Sequence, residues 1–207
     1  GSYEIDTLRL LTVAFGMYGS NSKNYGDGFT TMYGANHEDI AYSYRTGNHG
    51  DGSWYSINGN IDYQRTSRKN KQRMITFSYK INTQPQTSNS NTGYEDIHAK
   101  EEVDDLVKRL LLKNSQSDGK TNTMEQTFQV DYTTPIGELH TVEAGAKYIF
   151  RRNTSDNKLY EAAGGSDDYL YNEDRSSDYR HLNHILAAYL GYTLKYKDFT
   201  FKPGVRY

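Results

Sequence analysis

Apolar and polar residues alternate along much of the chain. From Ser56 to Gln64, Ile57, Ile61 and Tyr63 share one face with Gly59, while Ser56, Asn58, Asn60 and Asp62 share the other. Ile75, Phe77, Tyr79 and Ile81 oppose Thr76, Ser78, Lys80 and Asn82. Phe128, Val130 and Tyr132 alternate with Gln129 and Asp131, and Val142, Ala144, Ala146, Tyr148 and Phe150 with Thr141, Glu143, Gly145 and Lys147. The same rhythm carries Phe199, Phe201, Val205 and Tyr207 against Thr200, Lys202, Gly204 and Arg206. A period of two predicts strands with one apolar and one polar face. At roughly 9–13 residues they match a membrane-crossing strand better than the five or six of globular sheets. One segment departs from the period: Val103, Leu106, Val107, Leu110 and Leu111 fall at helical spacing, with acids ahead of bases as the helix dipole prefers. This predicts a helix over Lys100–Lys113, with a strand extension as the alternative.

Turn chemistry links the strands into hairpins. A three-residue loop at Arg68–Asn70, with Asn70 left-handed, sets Tyr63 opposite Ile75 and Ile61 opposite Phe77. A second at Pro135–Gly137 sets Val130 opposite Val142 and Glu125 opposite Lys147. A two-residue loop at Lys197–Asp198 sets Leu194 opposite Phe201. All three place the apolar residues on one face. Between them lie polar stretches rich in Ser, Thr, Asn, Asp and Gly: long loops at 83–122 and 153–179, and shorter ones at 19–28 and 46–52. Tight turns at one end and long loops at the other are the asymmetry of an outer-membrane barrel, and loops near 40 residues count against a compact soluble domain. The fold expected is all-β: a long antiparallel meander of about eight strands, a segment of an outer-membrane β-barrel or a small complete one, with one short helix in a long loop.

Composition narrows this further. The chain has 207 residues, room for one sizeable domain; Gly1-Ser2 reads as a cloning remnant and 3–207 as a single barrel segment. Only 35% of residues are apolar and the mean hydropathy is −0.90, values that alone would fit disorder. Twenty Tyr, 7 Phe and 1 Trp argue otherwise, because disordered chains are poor in aromatics. A net charge of −2 gives no basic excess for nucleic acid, and the absence of Cys removes disulfides, thiolate metal sites and thiol catalysis.

Catalytic chemistry has no candidate: no Ser-His-Asp or paired-carboxylate arrangement can be placed, and the expectation is a non-enzyme without cofactor. His181 and His184 form H-x-x-H, but on a strand positions three apart face opposite ways, which disfavours a metal pair. Asp167, Asp168, Glu173 and Asp174 collect in one loop as a candidate acidic or calcium-binding site, although the D-x-[DN]-x-[DN]-G frame is missing. The run Arg65, Arg68, Lys69, Lys71, Arg73 sits at a turn and reads as a solvated hairpin end.

Three stretches, Asn60–Ile81, Gln129–Tyr160 and Ile185–Tyr207, resemble the outer-membrane β-barrel domain family of Bacteroidetes, which is similar to the barrel portion of TonB-dependent receptors. A D-Y-x-x-P…H-x-x-E-x-G-x-K-Y-x-x-R pattern is matched by Asp131, Tyr132, Pro135, His140, Glu143, Gly145, Lys147, Tyr148 and Arg151, and a G-x-R-Y strand ending by Gly204, Arg206 and Tyr207. The resemblance implies a segment of a ligand-uptake barrel in the outer membrane. Its partners would be membrane lipid, the remaining strands and plug, TonB through a missing N-terminal region, and an unknown transported ligand. It also implies that Ile57, Ile61, Tyr63, Ile75, Phe77, Tyr79, Phe128, Val130, Phe199 and Phe201 face lipid. Asn58, Asn60, Asp62, Ser78, Lys80, Glu143 and Lys147 would then line a wet lumen. An isolated segment with open edges is expected to self-associate. Two other readings stay open: a soluble carbohydrate-binding β-sandwich, and a complete eight-stranded structural or adhesion barrel.

Overall fold

The computed structural model describes the chain except residues 36–37, 102–103 and 109–111. Six long strands form its body: β2 (Arg9–Tyr33), β3 (Ile40–Thr66), β4 (Met74–Ala99), β5 (Lys113–Ile136), β6 (His140–Ala163) and β8 (Ser177–Tyr196). Each pairs antiparallel with the next in one up-and-down sheet. β1 (Ser2–Asp6) borders β2 at one edge. At the other, β9 (Phe199–Phe201) and β10 (Gly204–Arg206) continue one register on β8, interrupted at Lys202–Pro203, where proline has no N–H for a ladder. A short β7 (Leu170–Tyr171) pairs with β6. The sheet therefore has eight ribbons plus β7, its path running from β1 to β10.

The ladder is one layer, which removes the two-sheet sandwich. Buried apolar side chains among the described residues are Val107, Leu112 and Ala162, all at the far end of the sheet. The accessible surface is 14808 Å², against roughly 9,800 Å² for a compact globular protein of this mass. Phe15, Ile61, Phe77, Phe128 and Leu186 stand exposed, aligned in neighbouring rows on one face.

These six strands are 20 to 27 residues long, about two to three times what a bilayer requires. The expected loops at 83–122 and 153–179 are mostly strand. β4 runs to Ala99 and β5 begins at Lys113, leaving 100–112 as connection; β6 runs to Ala163, leaving 164–176. The stretches 19–28 and 46–52 lie wholly within β2 and β3. Loop-like composition misleads here because both faces of these segments are wet, so no apolar alternation marks them. Of the helix expected over Lys100–Lys113, a single turn at Asp104–Leu106 (α1) is present; Glu102, Val103, Arg109, Leu110 and Leu111 lie outside the described residues.

Connections at one end are short: Thr7–Leu8, 67–73, Gly137–Leu139 and Lys197–Asp198. The two hairpins expected to point the same way do so, but their registers slip. Tyr63 faces Phe77 rather than Ile75, and Val130 faces Ala146 rather than Val142. Both slips are even-numbered, so every side chain keeps its face. In the first hairpin Asn70 does not take the left-handed conformation; its Oδ1 accepts from Gln72 N at 2.9 Å, which widens the turn. In the second the left-handed Gly137 (φ 67°) opens the turn instead of closing it. Glu125 consequently meets Arg151, not Lys147, at 2.5 Å. The Lys197–Asp198 register is as expected, with Leu194 opposite Phe201.

From β2 to β8 the centre of the apolar band moves toward the short turns by about one residue per strand. Against an interstrand spacing of ~4.8 Å, that drift inclines the strands by ~35° to the band, as in a closed barrel wall.

Candidate functional site

All ten lipid-facing candidates share one face of the ladder, and all seven lumen-facing candidates share the other. The apolar face is crossed by aromatic pairs such as Tyr79–Phe128 (4.8 Å between centroids) and Tyr63–Phe77 (6.4 Å). Toward its two borders the polar tips are paired: Tyr148 Oη with His184 Nδ1 at 2.7 Å, and Tyr192 Oη with His140 Nδ1 at 2.5 Å. His181 lies on the opposite face from His184 and stacks against Tyr179, so the H-x-x-H motif does not converge.

The polar face changes character along the strands. Toward the short turns it is charged. Asn58, Asn60, Lys80 and Lys147 come together with Glu125 and Gln129 around an open groove of about 400 Å³. Asp62, Ser78 and Glu143 lie outside that lining: Asn60 Nδ2 donates to Asp62 Oδ2 at 2.7 Å, and Lys202 Nζ stands 3.0 Å from Glu143 Oε2.

One row explains part of the sequence motif. Asp131, Gly145 and Tyr189 are direct neighbours on β5, β6 and β8. Tyr189 leans across the space above Gly145 and donates to Asp131 Oδ1 at 2.5 Å. A Cβ on Gly145 would run into that ring and stand 2.7 Å from Asp131 Oδ1. The motif glycine is thus the seat of a tyrosine two strands from its acceptor. Sequence reasoning missed this because the tyrosine lies 44 positions downstream, and neither hydropathy nor spacing links it to Gly145.

Farther from the short turns the polar face loses its charges. Tyr18 and Trp54 meet edge-on at 5.7 Å on β2 and β3, and Tyr179 stacks on His181 on β8. Between them stand Ser, Thr, Asn and Gln side chains, with glycines at 52 and 119. Asn153 Oδ1, in the lowest of these rows, is the buried side-chain polar atom without a partner among the described residues.

At the far end two connections are tied into one unit. Asn114 Oδ1 accepts from Tyr94 N at 2.8 Å and its Nδ2 donates to Ser166 O at 2.9 Å, while Gly164 N donates to Lys108 O. Glu161, with 13% of its side chain exposed, accepts from Arg175 Nη1 and Asn172 Nδ2 at 2.6 Å each and so anchors the 164–176 connection. The candidate acidic loop does not assemble as a cation site. Asp168, Glu173 and Asp174 border a groove with Lys113, Asp167 lies outside that lining, and no three carboxylates or imidazoles among the described residues could hold a metal ion. Burial and the nearby Asp167 push the Tyr169 hydroxyl up.

The profile of the outer membrane protein beta-barrel family matches residues 65–207. The chain belongs to this family. It is an outer-membrane protein, and a lipid environment explains an exposed apolar face of this size. No curated protein matches the chain. Among solved structures, the crystal structure of the ferric citrate transporter FecA in the unliganded form is similar at 12% identity and a TM-score of 0.28, over 96% of this chain and 37% of that one.

Proposed function

We propose that this chain forms part of the wall of a TonB-dependent outer-membrane receptor that admits a bulky ligand, without catalysis. The observation that carries the reading is the two-faced sheet itself, apolar on one side, polar and charged on the other, and open at β1 and β10. In this reading the apolar face meets lipid and the polar face lines the lumen. Further strands and a plug complete the barrel, and the long connections face outward. The resemblance of Asp131–Arg151 and Gly204–Tyr207 to receptor barrels points the same way. An isolated sheet of this kind would recruit another chain at its edges.

Two measurements test it. The chain has no cysteine, so Ser78→Cys and Phe77→Cys place single thiols on adjacent positions of opposite faces. A membrane-impermeant maleimide is expected to label Ser78→Cys and to spare Phe77→Cys in the full-length protein in outer membranes. The folded full-length protein is also expected to be retained on the immobilised periplasmic domain of TonB. Equal labelling would overturn the assignment of faces, and no retention would remove TonB from the mechanism.

A further inference from the structure

We propose that the uncharged region of the polar face is a binding wall for a neutral oligosaccharide. The proposal rests on the uptake reading above and adds the class of ligand. The offset between neighbouring strands is constant across this region, the β3–β4 ladder being broken at Tyr55–Ser56 opposite Gln84–Pro85, so residues can be followed row by row. The first uncharged row is Tyr18, Ser56, Gln84, Thr123, Asn153 and His181. The next three, ending at Asn24 on β2 and Leu159 on β6, also hold no Asp, Glu, Lys or Arg. This is not a general property of these segments. At the same height the opposite face carries Lys23, Asp51, Asp118, Lys120, Asp156 and Lys158, and the five adjoining rows toward the short turns each carry a charge on the polar face, at Glu125, Lys80, Lys147, Asp131 and Glu143.

The chemistry of this wall selects its ligand. An anionic or cationic ligand would have to give up hydration here with no counter-charge to replace it. A polyhydroxylated neutral ligand loses nothing comparable, because amides and hydroxyls donate and accept at once. On β4 the side chains of Gln84, Gln86, Ser88 and Ser90 are exposed and have no hydrogen-bond partner among the described residues. Two aromatic platforms flank this floor. Trp54 with Tyr18, and Tyr179 with His181, present exposed π-faces, whose negative quadrupole suits the C–H-rich face of a sugar ring. Trp54 and Tyr179 lie four strand spacings apart, about 19 Å along the sheet. That separation fits several linked rings better than one.

The experiment uses the full-length protein in detergent, titrated calorimetrically with linear neutral hexasaccharides (malto-, cello- and xylo-series), with hexagalacturonate and with a ferric siderophore. At least one neutral hexasaccharide is expected to bind. Trp54→Ala and Tyr179→Ala should each weaken that binding about tenfold, while Trp54→Phe, which keeps a stacking face, stays within about threefold. Binding of hexagalacturonate or the siderophore alone overturns the assignment and leaves the uptake reading standing. So does failure of every neutral hexasaccharide in protein that is still retained on the TonB domain. Loss of both ligand binding and TonB retention brings down the uptake reading together with this one.

Discussion

The long strands divide into two regions built on the same ladder but with opposite charge logic. In the region near the short turns, the outer side is apolar, with Val13, Ile61, Tyr79 and Phe128 in one row, and the inner side is charged, with Lys80, Lys147, Glu125 and Arg151. In the distal region, the outer side carries Lys23, Asp51, Asp118 and Lys158, and the inner side is neutral over the four rows that end at Leu159. Backbone pairing is the same in both. What differs is the medium each face meets. An apolar outer side is stable only against lipid, and a charged outer side only against water. The transition along β2 falls just beyond Met17, and along β6 just beyond Phe150. In the proposed reading the bilayer border is set by the side chains and not by the backbone.

The largest expected effect separates these regions on the outer side. Phe128→Lys puts a charge in the middle of the apolar band, where barrel substitutions cost about 2–4 kcal/mol. Asn89→Lys makes the same charge on the same face of a neighbouring strand, beyond the band and beside Asp51 and Asp118, and should fall within about 0.5 kcal/mol of wild type. Urea unfolding of the full-length protein in phospholipid vesicles measures both. Equal losses would mean that the band is not the lipid-facing belt.

A smaller effect tests the inner side. In the row Asp131–Gly145–Tyr189, Gly145→Val forces the tyrosine ring off its seat, an overpacking expected to cost about 1–3 kcal/mol. Tyr189→Phe removes only the hydrogen bond to a carboxylate and should cost about 1–2 kcal/mol. In the background of Tyr189→Ala, which clears the space, Gly145→Val should lose most of its penalty. Additive costs in a thermal-unfolding cycle would show that ring and glycine do not interact.

Much of the near region was legible in the sequence, because one apolar and one polar face impose a period of two. The alternation at Ile57–Tyr63 and Ile75–Ile81 groups the apolar and the polar residues on opposite faces even where the hairpin registers slip by an even number of residues. A face is fixed by transfer free energy, whereas a register depends on turn geometry that Asn70 and Gly137 alone do not specify. The distal region was illegible as strand. Segments such as Gln86–Gly93 and Gln116–Thr123 have water on both faces, so nothing in their hydropathy separates a paired strand from a loop. The uncharged wall, with Trp54 and Tyr179, was invisible for the same reason: it becomes a single surface only once β2 to β8 are set side by side. The Asp131 motif was recognisable, but its physical reason needed Tyr189.

The smallest effect concerns the first short turn, where the connection is held by one exposed local pair, in contrast to the nearly buried Glu161 that anchors 164–176. Arg9 Nε donates to Asp6 Oδ2 at 2.8 Å and Leu8 N to Asp6 Oδ1 at 2.9 Å. The hydrogen bond from Arg9, then that from Leu8, holds the Asp6 carboxyl below its ordinary range. A carboxyl whose value is lowered by folding binds its proton more readily when unfolded. Its stabilisation is therefore complete above the unfolded value of about 3.9 and disappears as pH falls through the lower folded value. Both side chains are wet, so salt screens the pair and its contribution is slight. Asp6→Asn should accordingly lower Tm by a small amount at pH 7, and the difference from wild type should shrink as pH falls below 4. Raising the salt concentration at pH 7 should reduce the same difference. A gap in Tm that is unchanged from pH 7 to pH 2 would mean that Asn disturbs the Thr7–Leu8 turn sterically, and that the charge of Asp6 has no part in holding β1 against β2.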